Sequence, residues 1–247
     1  MKNNFQLTMK TMCFLLMLIP FLGMSQTKNV ISTNRLFPKV DKVMEFEKAL
    51  ATHAQKYHTG DVKWRVFNIQ SGPDAGGYHI VEGPKTWDSE DTRGDINVAH
   101  NTDWNKSVTP FLADRGSSGY SVYIDSLSTV AIGDYSDKVQ ITHIYPKLGC
   151  TYRVATMLKS LKAAWTAEGS TVAVYDVNAS GEPQFAIARR FKQGLKEKED
   201  GFRKSFVDTY EKIHGKGSWG IFMDNVKEYY NNVWSELIFY RADLSSK

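Results

Sequence analysis

The string Phe37-Pro38-Lys39-Val40 recurs 108 residues further along the chain as Tyr145-Pro146-Lys147-Leu148. Three more landmarks repeat at nearly the same spacing, and they are the pairs Gly60 and Gly169, Gly72 and Gly181, and Tyr78 and Phe185. This period is far longer than that of a solenoid repeat, so each copy is predicted to be a domain-sized unit. The repeat divides the chain into residues 26–135 and 136–247, which follow an N-terminal segment, 1–25.

Each copy is predicted to have the element order β-α-β-β-α-β. The first copy comprises strand 30–37, helix 41–57, strands 62–69 and 78–82, a weaker helix 96–112 and strand 120–127. The second comprises strand 139–145, helix 152–167, strands 171–177 and 184–191, helical segments between 202 and 233, and strand 237–242. These assignments rest on apolar residues recurring every three to four positions in helices and every two in strands.

The predicted fold class is α+β. A β-α-β-β-α-β unit is a ferredoxin-like sheet with helices on one face only. The other face carries alternating apolar residues such as Val62, Trp64 and Val66, and it must be covered. We therefore predict two tandem ferredoxin-like repeats packed sheet to sheet as a pseudo-dimeric α+β barrel.

The first 25 residues are predicted to be a signal peptide. Lys2 and Lys10 supply positive charge, residues 12–22 form an apolar run, and Gly23-Met24-Ser25 precedes a predicted cleavage site before Gln26. The apolar run is shorter than the roughly 20 residues that a membrane-spanning helix needs. We therefore expect export to the periplasm or the extracellular space, with no membrane association after cleavage.

Composition and charge narrow the class of protein. Hydrophobic residues make up 42% and charged residues 23% of the 247, which excludes a disordered or fibrous chain. Beyond residue 25 there remain 29 basic and 27 acidic residues, a net charge of +2. So small an excess gives no reason to expect a nucleic-acid partner. Cys150 is the one cysteine left, so no intramolecular disulfide is expected.

The doubled β-α-β-β-α-β pattern resembles the dimeric α+β barrel superfamily, which includes antibiotic-biosynthesis-monooxygenase-like, EthD-like and NIPSNAP-like proteins. Two stretches, residues 46–58 and the run from Gly72-Pro73 to Trp87, also resemble small exported proteins of unassigned function from Bacteroidetes. The superfamily contains cofactor-free oxygenases, haem-degrading enzymes, isomerases, haem proteins and non-enzymes, so the resemblance implies a fold without choosing a chemistry.

Histidines are concentrated in the first copy, which holds four of the six: His53, His58, His79 and His100. A site is therefore predicted there, with His79 and His100 as catalytic candidates and Trp64, Tyr78 and Trp87 as ligand contacts. A strand histidine facing a barrel interior is suited to acid–base work near neutral pH. If these residues form a site, His79 should approach Trp64 or His100 around one pocket. The competing interpretation is that the histidines are core or surface residues.

No metal or cofactor is predicted. His53 and His58 are five residues apart, whereas two ligands on one helix face are usually four apart, and no paired-cysteine or HExxH spacing accompanies them. The resemblance leaves one alternative open, because the haem-degrading branch uses an asparagine, a tryptophan and a helical histidine. Asn34, Trp87 and His100 would correspond to these, with His100 as the axial ligand.

The leading functional hypothesis is a protein that binds a small apolar or aromatic ligand, or one without a catalytic role. Six aromatic residues are candidates for lining a cleft between sheet and helices: Trp64, Tyr78, Trp87, Trp104, Trp165 and Tyr175. The alternative is a cofactor-free monooxygenase-like enzyme acting on an aromatic or quinone-like substrate. A monomer or weak homo-oligomer is expected.

Overall fold

The structure, a computed structural model that describes residues 27–94, 96–177 and 179–247, is an eight-stranded closed barrel. Its strands are β1 (Val30–Pro38), β2 (Trp64–Ile69), β3 (Tyr78–Lys85), β4 (Leu112–Tyr123), β5 (Lys138–Pro146), β6 (Val172–Val177), β7 (Gln184–Arg190) and β8 (Tyr230–Tyr240). The predicted signal peptide lies outside the described residues.

The order of strands around the barrel is β1-β3-β2-β8-β5-β7-β6-β4, and all neighbours are antiparallel. Each half of the chain contributes one four-stranded sheet, β4-β1-β3-β2 or β8-β5-β7-β6. The sheets join at two short seams, one pairing Phe67–Ile69 with Ile238–Tyr240 and the other pairing Val122–Tyr123 with Tyr175–Asp176. The predicted α+β fold of two ferredoxin-like repeats in one barrel is confirmed.

Helices cover the outside of both sheets. They are α1 (Val43–Tyr57), α2 (Trp87–Arg93), α3 (Val98–Asp103), α4 (Thr151–Ala167), α5 (Phe206–His214) and α6 (Ser218–Tyr229). The amphipathic helix α1 buries Phe46, Leu50, His53 and Ala54, and α4 buries Val154, Leu158 and Leu161 among others. None of the helices in the described part of the chain has the length and apolarity needed to cross a bilayer.

Strand side chains alternate between the barrel interior and these outer layers, as the pleat of a strand requires. The interior is formed by Ile31, Phe67, Val81, Ile141, Tyr175, Ile238 and their neighbours. The first outer layer, between the first sheet and α1, contains Phe46, Leu50, Trp64, Val66 and Ile80. The second outer layer contains Val154, Leu158, Leu161, Val174 and Phe222. Among the described residues, the apolar core is therefore divided into these three clusters.

Several predicted elements differ from the structure. Val62 lies in a 3-10 turn, β2 begins at Trp64, and Trp64 and Val66 face α1 rather than the second sheet, so the face predicted to meet the other half is the opposite one. The predicted helix 96–112 is instead the short helix α3 followed by a π turn (Trp104–Val108) and a 3-10 turn (Thr109–Phe111), and β4 begins at Leu112 rather than at 120. Helix α6 ends at Tyr229, and β8 begins at once at Tyr230 rather than at 237. The early parts of β4 and β8 are polar, so their strand conformation comes from pairing with the central strands β1 and β5.

Each seam is extended by a short segment with serine or threonine hydroxyls. The Val174 N–H donates to Ser128 Oγ at 2.9 Å, and the Val66 N–H donates to Ser245 Oγ at 2.9 Å. The backbone N–H groups of Val172 and Trp64 donate in the same way to Thr129 Oγ1 and Ser246 Oγ. Residues 127–129 and 244–246 are therefore equivalent latches, each closing the strand edge of the opposite half.

Candidate functional site

The barrel interior contains a cavity of about 190 Å³. Its wall is mainly apolar and is lined by Ile31, Phe67, Val81, Val139, Ile141 and Ile238. Ser117, Gly119 and Ser180 line it at the seam between β4 and β6, beyond the last β4–β6 pair. An apolar cavity with few polar groups is the usual form of a small-molecule site.

One end of this cavity carries a network around Glu236, which is 1% exposed. Arg35 donates to Glu236 through both terminal nitrogens and to Asp74 Oδ2 at 2.6 Å. His143 Nε2 lies 2.9 Å from Glu236 Oε1, and its Nδ1 lies 2.9 Å from Gln184 Oε1. Burial alone would raise the pKa of Glu236, but the hydrogen bonds from His143 and Arg35 lower that pKa to about 2. The carboxylate is therefore ionised at neutral pH.

His79 lies beside this network and lines the cavity. Its side chain is buried, and its Nδ1 has no hydrogen-bond partner in the described structure. Burial, and then the positive charge of Arg35, lower the pKa of His79 to about 3. The imidazole is therefore neutral at physiological pH, and its ring forms part of the cavity wall.

The opposite end is closed by Arg190. Its guanidinium donates to the backbone carbonyls of Ala131, Ile132 and Asp134, and to the Tyr175 hydroxyl at 3.0 Å. Burial raises the pKa of Tyr175 to about 12, so this hydroxyl remains protonated. Arg190 thus fixes the loop before β5 across the barrel end.

A second polar region lies in the first outer layer and is called the histidine cluster: His53, His58 and His100. One ring nitrogen of each lies within 4.8 Å of the others. His53 and His58 are fully buried, and His100 on α3 is half-buried. His58 Nε2 and His100 Nε2 are 3.3 Å apart. Burial is the main cause that lowers the pKa values of His53 and His58.

The buried carboxylate of Glu82 lies beside His58 of the histidine cluster. Its carboxylate accepts hydrogen bonds from Trp64 Nε1 at 2.8 Å, Lys85 Nζ at 2.7 Å and Arg93 Nε at 2.8 Å. Burial alone would raise the pKa of Glu82, but its bonds to His58, Arg93 and Lys85 hold that pKa far below the usual range. Trp64 also stacks on the His58 ring, with 3.4 Å between ring centroids.

The predicted grouping of His79 with Trp64 or His100 around one pocket is not formed. On β3, His79 points into the barrel, whereas Trp64 on β2 and His100 on α3 lie in the outer layer on the other side of the sheet. Trp64 pairs with Glu82, which is three residues from His79 on β3, so the side chains of Trp64 and His79 point to opposite faces of the sheet. The structure instead brings His100 together with His53 and His58.

The predicted aromatic contacts are also distributed over different surfaces. Tyr78 is buried in the first outer layer, where its hydroxyl donates to Glu47 Oε1 at 2.5 Å. Trp87 begins α2 rather than lying in a loop, and it is 46% exposed and packs on Tyr120. Of the aromatic residues considered, Tyr175 is the one that lines the barrel cavity in the described structure.

The residues considered for haem have different neighbours from one another. Asn34 Oδ1 accepts from Ser118 Oγ at 2.7 Å, and Trp87 contacts Tyr120. His100 Nδ1 lies 2.9 Å from Asn101 Oδ1, and its Nε2 faces His58 Nε2 at 3.3 Å, so an ion bound there would have His58 as its neighbour rather than Asn34 or Trp87. The geometry therefore does not support His100 as an axial haem ligand in a set with Asn34 and Trp87.

Sequence reasoning missed Arg35, His143 and Glu236 at the cavity and Asp103 at the histidine cluster. A signal for the first three exists, because each is a charged or titratable residue two or four positions from an inward apolar residue of the same strand, namely Ile31, Ile141 and Ile238. The five-residue spacing of His53 and His58 was also a poor guide to whether the two rings lie together. His58 follows the last helical residue, Tyr57, so helical periodicity does not apply to it.

Comparison with models of known protein families gives no match, and a search of curated proteins gives none. Among solved structures, the chain is similar to a protein described as a "putative monooxygenase" from Lactobacillus acidophilus NCFM, with TM-score 0.50 and 9% identity over 88% of this chain and 95% of that one. A protein of the same description from Fusobacterium nucleatum subsp. nucleatum ATCC 25586 gives a TM-score of 0.53 at 12% identity, covering 88% and 94%.

An anthrone oxidase-like protein gives a TM-score of 0.54 at 8% identity, over 87% of this chain and 92% of that one. At such identities the likeness concerns the fold alone. The α+β barrel architecture is thus shared with proteins of this description.

Proposed function

We propose that this protein binds a small apolar or aromatic molecule inside the barrel, with His79 making the polar contact. The observation that carries the proposal is a neutral imidazole with an unpaired nitrogen on the wall of a mainly apolar cavity. A buried polar group without a hydrogen bond is costly. The Nδ1 atom is itself enclosed, so the ring would rotate on binding to let a ligand hydroxyl or carbonyl satisfy it. We also infer that the chain belongs to the dimeric α+β barrel superfamily, and the closed barrel and its fold neighbours support this.

The state of His79 favours binding over proton abstraction. A general base works best when its pKa is near the operating pH, and the pKa of His79 is lowered to about 3. A neutral imidazole of this kind still accepts or donates a hydrogen bond. Binding of a neutral aromatic ligand therefore requires no change in the protonation of His79.

The second candidate is a monooxygenase-like activity on an aromatic or quinone-like substrate. It is supported by the descriptions of the fold neighbours, two as monooxygenases and one as anthrone oxidase-like. Such an activity would use His79 to accept a proton from the bound substrate. For this role the pKa of His79 would have to rise when the substrate binds. Glu236 and His143 lie beside His79, so a change in their hydrogen bonding on substrate binding is the means by which its pKa would rise.

The test uses anthrone and 1-naphthol as probes on the purified full chain. We expect both to raise the thermal unfolding midpoint, since a ligand that binds the native state stabilises it. His79→Leu should weaken binding about tenfold, the effect of one lost hydrogen bond. Ala186→Leu should abolish it by filling the cavity, because Ala186 lines the wall. His214→Leu, at an exposed histidine, is the matched control.

An oxygen electrode separates the two candidates. Oxygen uptake with anthrone in the wild type that is lost in His79→Leu would establish the monooxygenase-like activity. Binding without uptake would establish the ligand-binding function alone. Failure of every probe to shift the unfolding midpoint, with Ala186→Leu behaving like the wild type, would contradict both.

Export remains part of the proposal and rests on the sequence of residues 1–25. N-terminal sequencing of the protein from the producing cell should begin near Gln26. Recovery of an intact Met1 from a membrane fraction would overturn the predicted compartment.

A further inference from the structure

The three rings of the histidine cluster share one pattern of hydrogen bonding. His53 Nδ1 lies 2.8 Å from Asp103 Oδ2, His58 Nδ1 lies 3.2 Å from the Val62 carbonyl, and His100 Nδ1 lies 2.9 Å from Asn101 Oδ1. Each of these partners is an acceptor, so each Nδ1 carries the proton and donates. The Nε2 atoms are thereby left with their lone pairs available, the tautomer that metal-binding histidines adopt.

The same Nε2 atoms have no adequate partners within the protein. His53 Nε2 is buried and has no hydrogen bond. His58 Nε2 and His100 Nε2 are 3.3 Å apart, and with both Nδ1 atoms protonated neither has a proton to donate. Two facing lone pairs and one unsatisfied nitrogen in a buried site are unfavourable in the absence of a shared cation.

We propose that His53, His58 and His100 bind one divalent transition-metal ion, of which Zn²⁺ is the reference case, through their Nε2 atoms. A tetrahedral Zn²⁺ with bonds of about 2.0–2.1 Å separates its ligand nitrogens by about 3.3 Å. The His58–His100 separation matches this edge. A ring nitrogen of His53 lies within 4.8 Å of the other two ligands, so the His53 ring would move closer when the ion binds.

The surroundings support an ion with three protein ligands. The carboxylates of Asp103 and Glu82 face the Nδ1 side of His53 and His58, so they orient the rings and balance the charge without coordinating. Three neutral imidazoles suit Zn²⁺, Cu²⁺, Ni²⁺ or Fe²⁺ rather than Mg²⁺ or Ca²⁺. The fourth position is left for water or a small ligand, which is the composition of a reactive rather than a purely structural zinc site.

This site is distinct from the barrel cavity. The histidine cluster lies in the first outer layer, and the cavity lies on the inner side of the same sheet. Metal binding and occupation of the cavity are therefore separately testable, and either one stands without the other.

The experiment titrates the chelator-treated full chain with Co²⁺ and then displaces it with Zn²⁺. We expect one equivalent to bind, with the visible absorption of four-coordinate Co²⁺ and with quenching of tryptophan fluorescence, because Trp64 stacks on His58. His100→Ala removes a half-buried ligand at little risk to folding, and it should weaken binding at least about 100-fold. Asp103→Asn should weaken it about 10- to 100-fold while keeping all three ligands.

His214→Ala serves as the matched control and should bind like the wild type. Far-ultraviolet circular dichroism of each variant verifies folding. A wild type that binds Co²⁺ no more tightly than His100→Ala would overturn the proposal. Undiminished binding in a folded His53→Leu variant would overturn it as well, because the ion would then lie elsewhere.

Discussion

The two outer layers have the same architecture but differ in the polar side chains that they contain. At an offset of 108 residues, His53 on α1 corresponds to Leu161 on α4, and Trp64 on β2 corresponds to Val172 on β6. Glu82 on β3 corresponds to Arg189 on β7 through the pairing of Tyr78 with Phe185. The second layer is an apolar cluster, whereas the first holds three histidines and a buried carboxylate.

This difference shows what the fold itself requires. Phe46 and Leu50 in the first layer match Val154 and Leu158 in the second, and all four are fully buried. These positions hold helix against sheet in both halves. The second layer shows that the fold is formed without any polar group at the position of His53, so the polar groups of the first layer point to a role other than stability.

The largest loss of stability is expected from substitutions in the two latches, where the two halves are most alike. Leu127 and Leu244 belong to the two equivalent latches and are 6% and 3% exposed. Leu127→Ala and Leu244→Ala should each lower the free energy of unfolding by about 3 kcal/mol, since each leaves a cavity in an outer layer. Urea unfolding measures both. A loss confined to one variant would show that the latches are not equivalent.

The substitutions Leu161→His and His53→Leu should have unequal effects on the free energy of unfolding. Leu161→His places an unpartnered imidazole in the apolar second layer and should cost about 2–3 kcal/mol. His53→Leu should change the stability of the metal-free protein by less than about 1 kcal/mol, because it removes a buried Nε2 that lacks a partner. It also removes the hydrogen bond from Nδ1 to Asp103, but that carboxylate is partly exposed and keeps water and Lys56 as partners. Chemical unfolding of both variants after chelator treatment tests this. A large loss in His53→Leu would mean that the imidazole is a required part of the core.

The interiors of the two halves also differ, because His79 in β3 corresponds to Ala186 in β7. In the unfolded chain a histidine binds a proton below about pH 6.5, but buried His79 does so only near pH 3. The unfolded state then holds more protons, so stability falls as the pH falls through this window. Between pH 7 and pH 5 the wild type should lose about 2 kcal/mol more than His79→Ala.

Unfolding curves at several pH values provide the measurement. Arg35, Glu236 and His143 face His79 and are present in both proteins, so the difference between the two curves isolates His79. Parallel curves for wild type and variant would show that His79 is accessible to protons in the folded state.

The smallest effect is expected at the latch hydroxyls. Ser128→Ala and Ser245→Ala each remove the acceptor of a buried valine N–H, at Val174 and Val66 respectively. Each should cost about 1–2 kcal/mol, and the two losses should agree within about 0.5 kcal/mol. Hydrogen exchange at the two valine amides should accelerate in the matching variant. An unchanged exchange rate would indicate that the hydroxyl is not the acceptor in solution.

Much of the fold was predictable because its signals are local and repeated. The apolar faces of α1 and α4 and the alternation in β2 and β6 identify the elements, and the repeat of Phe37-Pro38 as Tyr145-Pro146 identifies the barrel. The early part of β4 was not predictable from its own residues. It is polar, and its conformation is set by a partner strand about 80 residues away.

The candidate site was less predictable than the fold. The concentration of histidines in the first half is visible in the sequence, but the face on which each one lies depends on strand register. His79 and Trp64 are separated by the sheet, whereas His100 reaches His53 through the fold of the segment after α2. The latch repeat of Leu127-Ser128-Thr129 as Leu244-Ser245-Ser246 is present in the sequence and was overlooked, because its offset of 117 differs from the main period.

The equivalence of the two latches has a topological consequence. Residues 130–137 lead from the first latch to β5, and a linker after Ser246 would lead from the second latch to β1 at the equivalent place in the strand order. The first connection also accepts hydrogen bonds from Arg190, so a rearranged chain has to keep it. The order in which the two halves are synthesised is then immaterial to the closed sheet. A circularly permuted chain that starts at Val130, passes from Lys247 through an eight-residue linker to Thr27 and ends at Thr129 would have every strand beside the same neighbours and would keep the carbonyl partners of Arg190.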